Sequence, residues 1–238
     1  MVSKDMLELG KKSSVIREIF EYSKIRANEI GADKVYDFSL GNPSVEPPKQ
    51  VVDSIKELLE TENQTLLHGY TSAQGDLSVR TTVSNNINER FNLNLTPNHI
   101  YMTCGAAASL SICLKAVVNS GDECIVFAPF FTEYRVFVEK AGGTLVSVKC
   151  DEDDFQPDLD LLEKSITYRT KAVIINSPNS PTGAVMREDT IKKIAEILDR
   201  KSKELVAFEV RNRETKYFEN LSDMDVGIIS TFKLPFLM

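Results

Sequence analysis

Tryptophan is absent from this 238-residue chain, and histidine occurs twice, at His68 and His99. The four cysteines, Cys104, Cys113, Cys124 and Cys150, form no Cys-x-x-Cys pair, so neither a histidine-rich nor a thiolate metal centre is indicated. The same spacing offers no disulfide framework, and a reduced thiol set with a cytoplasmic location is the expectation. No stretch is apolar for long enough to span a bilayer, and Met1-Val2-Ser3-Lys4-Asp5 leads into a charged segment without the apolar core of a secretory signal. Positive charge is in deficit: 28 Lys and Arg against 35 Asp and Glu give a formal net charge of -7. Neither nucleic acid nor an anionic membrane is attracted by such a net field, although a local basic pocket for one phosphate is still allowed. Also missing is a Gly-x-Gly-x-x-Gly run after the first strand, which excludes a dinucleotide-binding domain. Internal repeats, low-complexity tracts and Gly/Ser linkers are absent as well.

What is present is enough apolar material for a sizeable core, 42% of residues, with 26% charged. Val15, Ile16, Ile19, Phe20, Ile25 and Ile30 recur near helical period over 12–30, with Gly31 as a stop. A short strand is expected at 35–40. A helix entered through Pro47 and Pro48 then carries Val51, Val52, Ile55, Leu58 and Leu59. A further helix over 77–91 is expected to turn Leu77, Val79, Val83 and Ile87 inward. From there strands and helices alternate: strand 99–103, helix 106–118, strand 123–127, helix 130–141, strand 144–149, helix 158–167, strand 171–176 and helix 187–203. Short apolar strands alternating with helices of ten or more residues indicate βαβ units, hence a largely parallel sheet covered on both faces.

Five segments carry recognisable chemistry. Gly41-Asn42-Pro43 is a turn signal. His68-Gly69-Tyr70 is followed by Gly75 and Val79-Arg80. Thr103-Cys104-Gly105-Ala106-Ala107-Ala108-Ser109 follows a predicted strand and opens a helix, where small side chains leave backbone N–H groups free for an anion. Pro129-Phe130-Phe131-Thr132-Glu133-Tyr134 and Asn176-Ser177-Pro178-Asn179-Ser180-Pro181-Thr182-Gly183 lie just beyond strand C-terminal ends, where open α/β sheets bind ligands. Four of them have a plain structural reading too: a close-packed helix start at Gly105, apolar packing at Phe131, a turn at Tyr70 and another at Gly41.

In that order the five segments resemble the class I aminotransferases, the fold-type I family that uses pyridoxal phosphate (PLP). The resemblance implies an α/β fold: a large domain with a mostly parallel sheet and flanking helices, incomplete here, plus an N-terminal helical arm. It implies PLP as cofactor, with Gly105, Ala106 and Ala107 as backbone donors to its phosphate and Phe131 stacked on its ring. Tyr70 would reach the phosphate of a neighbouring subunit in a homodimer, since Tyr70 through Val79-Arg80 is similar to the family's Tyr-x-x-x-x-Gly-x-x-x-Leu-Arg. Gly41 would meet the substrate carboxylate. The family's Asn-Pro-Thr-Gly, whose asparagine bonds the PLP 3-oxygen, appears as Ser180-Pro181-Thr182-Gly183, so Ser180 stands in that place and Asn179 lies one residue early.

The pattern then departs. Where the family has a strand ending in Asp-x-x-Tyr, the chain reads Leu205 through Arg213 with Glu209 and no tyrosine three residues later; a strand bearing a solvated glutamate is expected. The Ser-x-Ser-Lys setting of the Schiff-base lysine is matched only by Ser230-Thr231-Phe232-Lys233, and a surface lysine is the plainer reading of Lys233. The resemblance thus implies an N-terminal arm with part of a small domain over 1–45, an incomplete PLP-binding large domain over 46–204, and a divergent tail over 205–238. The implied activity moves an amino group between an amino acid and a 2-keto acid, with little or no turnover expected from this chain alone. A second reading is a non-catalytic truncated or frameshifted fragment that keeps residual phosphate binding or associates with a partner.

Overall fold

The computed structural model describes residues 2–11, 15–41, 45–212 and 229–230. The chain divides into two compact units, one up to Tyr70 and one from Thr71 onward.

The first unit is helical: α1 (Lys4–Lys11), α2 (Val15–Ile30), α3 (Lys49–Thr61) and the short α4 (Gln64–Leu67). α2 stops where Gly31 takes a φ of 100° that other residues rarely adopt. α3 starts after Pro48, as its fixed φ favours, and α4 starts where the Asn63 side chain accepts from the amides of Thr65 and Leu66. The expected strand at 35–40 does not form. Asp37 instead accepts hydrogen bonds from the Ser39 amide and hydroxyl and from the Ser23 hydroxyl, a local alternative to a ladder. Tyr36 and Phe38 are exposed beside it.

The second unit holds the sheet, in order β2-β1-β3-β4 and parallel throughout: β1 (Glu123–Ala128), β2 (Thr144–Lys149), β3 (Thr170–Ile175) and β4 (Ile229–Ser230). Alternate residues of the central strand β1 face opposite layers. Cys124 and Val126 pack with Leu110 and Leu114 of α6 (Ala106–Val117) and with Tyr134 and Val138 of α7 (Glu133–Ala141). Ile125 and Phe127 pack with Leu162 of α8 (Leu159–Ser165) and Ile194 of α9 (Glu188–Asn212). Helices on both faces of a parallel sheet are the α/β architecture that alternation of strand and helix predicts.

Three further expectations are corrected. Residues 99–103 make no strand: a 3-10 turn over Pro97–His99 leads into extended chain whose Met102 amide donates to the Gln74 carbonyl, so the segment is tied to a turn and not to the sheet. The inward face of α5 (Leu77–Phe91) is Arg80 and Ser84, both buried, while Leu77 and Val79 are exposed and Val83 and Ile87 only half-buried. That face is held by hydrogen bonds: Arg80 donates from Nε to the Gly75 carbonyl at 3.0 Å and from a terminal nitrogen to the Pro97 carbonyl at 2.7 Å. Finally, α9 runs unbroken from Glu188 to Asn212, so the strand expected over 205–213 is helix as far as the described backbone extends. No glycine or proline interrupts that stretch, and nothing in it ends a helix.

Candidate active site

α6 begins at Gly105, whose φ of 101° turns the chain from an extended approach into the helix. The N-cap supplies no side-chain acceptor, so the first-turn amides of Ala106, Ala107 and Ala108 depend on a partner from outside the helix. Open space surrounds the glycine, with nothing within 4 Å of where a Cβ would sit. At the mouth of the helix the hydroxyls of Thr103 and Ser109 lie 2.6 Å apart, both half-buried, and Gly105, Ala106 and Ala107 are exposed. A twelve-residue helix presents a partial positive charge at this end. Free amides, two hydroxyls and a helix N-terminus fit the phosphate of PLP.

Phe131 lies in the loop after β1, one residue before the N-cap of α7, edge-on to Tyr134 at 5.6 Å between ring centroids. With 39% of its surface exposed, it keeps an open ring where the buried Tyr134 does not. The loop after β3 carries Asn179, whose amide nitrogen donates to the Pro129 carbonyl at 2.9 Å and to the Thr182 hydroxyl at 3.0 Å. One side chain therefore ties the Phe131 loop to the Asn176–Gly183 loop and commits both of its amide hydrogens in doing so. Ser180, the next residue, is half-buried. Beneath these loops lies a cavity of about 20 Å³ lined by Phe130, Phe155, Asn176, Asn179 and Met186 among others. That volume has room for about one water and none for an aromatic ring.

Tyr70 and Gly41 belong to the first unit; Tyr70 is fully exposed, and a Cβ added at Gly41 would meet nothing within 4 Å. Lys233 lies outside the described residues, and of Glu209 only the helical backbone is described. Among the described residues no group of three or more His, Cys, Asp or Glu is placed to hold a metal ion, and no helix is long and apolar enough to cross a membrane. Burial, with a smaller contribution from Asp122, pushes the Cys124 thiol up to about 11, and burial beside Asp154 does the same to Cys150. Neither is a ready nucleophile. Sequence reasoning missed Gln156, whose side chain joins the turn at 151–158 to the segment after Gly183. A glutamine between Phe155 and Pro157 carries no periodic or motif signal that could have revealed this.

The family model described as "Aminotransferase class I and II" matches residues 33–208. The chain belongs to that family. Among aminotransferases it is similar to the probable aspartate aminotransferase of Methanocaldococcus jannaschii, 32% identical over 202 residues, 85% of this chain and 50% of that protein. It is also similar to the glutamate-pyruvate aminotransferase AlaA of Escherichia coli, 32% identical over 170 residues, 69% of this chain and 40% of that protein. Among solved aminotransferase structures, one from Eubacterium rectale superposes with a TM-score of 0.83 at 49% identity, covering 86% of this chain and 52% of that one. The chain thus spans about half the length of the relatives it matches. The architecture expected from the sequence, an aminotransferase α/β fold with a mostly parallel sheet and flanking helices, agrees with that overlap.

Proposed function

We propose that this aminotransferase-family chain binds PLP at the mouth of α6 and belongs to the chemistry that moves an amino group between an amino acid and a 2-keto acid. The observation that carries the reading is the start of α6: first-turn amides with no side-chain acceptor, opened by Gly105 at a φ of 101° and flanked by the paired Thr103 and Ser109 hydroxyls. When bound, PLP supplies an electron sink for the charge that develops at the amino acid Cα. The chain's own residues hold and orient it. Gly105, Ala106 and Ala107 offer backbone N–H groups to the phosphate, and the helix end favours its negative charge. Phe131 offers a ring face. Because both amide hydrogens of Asn179 are engaged, one by Pro129 of the loop after β1 and one by Thr182 of its own loop, Ser180 is favoured as the group that meets the cofactor's ring oxygen. Gly41 at the substrate carboxylate, and Tyr70 at a phosphate across a homodimer, follow from the family resemblance. So do the arm and small-domain share over 1–45, the large domain over 46–204 and the divergent tail over 205–238, while a cytoplasmic location follows from the thiol usage and the charged N-terminal stretch.

Transfer also needs the family's Schiff-base lysine, which would serve as base for the Cα proton, and the resemblance offers only the weak match at Lys233 for it. The chain alone is expected to turn over slowly or not at all. Supporting the second reading, a non-catalytic fragment, is the helical backbone of α9 through Asn212 where the resemblance calls for a strand. The two readings separate when PLP is added to the purified chain, the absorbance followed, the mixture reduced with borohydride, and pyridoxyl peptides located by mass spectrometry. A stoichiometric adduct confined to Lys233 supports an assembled catalytic site. Saturable PLP binding without a single adduct supports a cradle lacking its chemistry, and no saturable binding overturns the cofactor reading.

A further inference from the structure

We infer that Gln156 is a positioning residue for the Asn176–Gly183 loop, acting through the strap 184–187 that follows it; its functional meaning rests on reading that loop as the ring end of the cofactor site. Gln156 is 9% exposed, and all of its carboxamide is used. Its Oε1 accepts from the Arg187 amide at 3.0 Å and from the Thr190 hydroxyl at 3.2 Å. Its Nε2 donates to the Val185 carbonyl at 3.2 Å and to the Asp154 carbonyl at 3.4 Å.

The backbone groups of the strap point alternately to two sides, as in any extended chain. One side, the Val185 carbonyl and the Arg187 amide, goes to Gln156. The other goes to the loop: the Ala184 carbonyl accepts from the Asn179 amide at 2.8 Å, and the Met186 amide donates to the Ser177 hydroxyl at 2.9 Å. The Gln156 carboxamide, one acceptor and one donor held in a plane, therefore does what the peptide of a neighbouring strand would do. With that edge fixed, the strap fixes Asn179 and Ser177 from the opposite edge.

Gln156 is itself anchored before it reaches across. Its carbonyl accepts from the Asp151 amide at 2.9 Å, and its amide donates to an Asp154 carboxylate oxygen at 2.9 Å. The preceding Phe155 sits at a φ of 54°, a strained conformation for a bulky residue, and lines the same small cavity as Asn176 and Asn179. A parallel ion pair of Arg187 with Asp154 at 2.9 Å is largely solvated and holds less, and Met186 adds apolar packing against the core.

The test uses the full chain and follows amide hydrogen exchange residue by residue by NMR. Gln156→Met, close in shape but without polar atoms, is expected to speed exchange at Arg187 and Met186 by about tenfold, with β1 and α6 amides unchanged. Gln156→Glu keeps the acceptor and is expected to leave Arg187 protected. Wild-type protection in Gln156→Met, as a space-filling role would give, overturns the inference, and so does uniform acceleration throughout the chain. Should Gln156→Met not fold, Gln156→Asn, one methylene too short, replaces it with the same expectations. In the second arm PLP affinity falls several-fold in Gln156→Met while inorganic phosphate affinity stays. Equal loss of both, or unchanged PLP affinity, overturns the link to the site. Failure of the wild-type chain to take up PLP sinks the cofactor reading, and the exchange data still decide the role of Gln156.

Discussion

The residues up to Tyr70 and those from Thr71 onward use similar apolar spacing to opposite ends. In the second unit, Leu114, Ile125, Val138 and Leu162 are fully buried between a parallel sheet and helices on both of its faces. In the first, no described residue is buried: Ile16, Ile19 and Ile25 on α2, and Val51, Val52, Ile55, Leu58 and Leu59 on α3, all stand at 39% exposure or more. Periodicity makes a helix amphipathic, but only a partner surface makes the apolar face a core. The second unit accounts for its own hydrophobic pattern, and the first carries a pattern that its described residues leave uncovered.

The largest effect that would sharpen this contrast is in the core. Leu114→Ala or Leu162→Ala is expected to lower unfolding free energy by about 2–5 kcal/mol, whereas Leu58→Ala on α3 stays within about 0.5 kcal/mol. Denaturant unfolding of the variants checks it, and a cost at Leu58 equal to that at Leu114 would show that α3 is covered in solution. Glycines come next. A Cβ on Gly75, at a φ of 97°, would fall 2.5 Å from Met102 Cγ, and Gly75→Ala is expected to destabilise by about 1–3 kcal/mol. Gly10 in α1 has nothing within 4 Å, so Gly10→Ala should reverse the sign, a gain of about 0.5–1 kcal/mol in local helix stability, read by circular dichroism.

Within the second unit, thiol chemistry should divide by depth. Cys104 and Cys113 are exposed, and Cys124 is buried with its thiol pushed up to about 11. Maleimide labelling followed by mass spectrometry is expected to reach the exposed pair at least about a hundredfold faster. Equal rates would mean that β1 opens readily. The smallest effect is electrostatic. Hydrogen bonds from Arg200, at 2.7 and 3.0 Å, hold the Glu163 carboxyl at about 2, below its ordinary 4.5. A depressed folded-state value stabilises above the unfolded value and is lost as pH falls through the folded one. The melting-temperature difference between wild type and Glu163→Gln should therefore be constant above about pH 4.5 and shrink as pH falls toward about 2. The pair is exposed, so the difference is small, and a gap that persists near pH 2 would refute the assignment.

Sequence pattern reached the sheet well because β1, β2 and β3 are short apolar runs bounded by helices with clear periodicity, and their cores are apolar. It failed where polar groups decide. The strand expected at 35–40 yields to the Asp37 side chain, and the inward face of α5 is set by Arg80 and Ser84, which no hydrophobic pattern would select. The helix over 205–212 replaces a strand because its residues carry no stop signal, whatever the family pattern calls for. At the candidate site, the small residues that open α6 were legible as an uncapped helix start since their meaning is local. The engagement of Asn179 with Pro129, and the grip of Gln156 on the strap, depend on partners far along the chain.

That distance has a temporal side. The bond from Asn179 to the Pro129 carbonyl closes a span of 50 residues. The loop after β1 consequently has no such lock until β3 has docked beside it, and contacts of long sequence separation are slow to gain because chain entropy must be lost first. During synthesis the α6 cradle emerges complete within a short stretch, while the opposite wall of the site waits for some seventy further residues, from Ser109 to Asn179. The two ends of one candidate site are therefore born at different times.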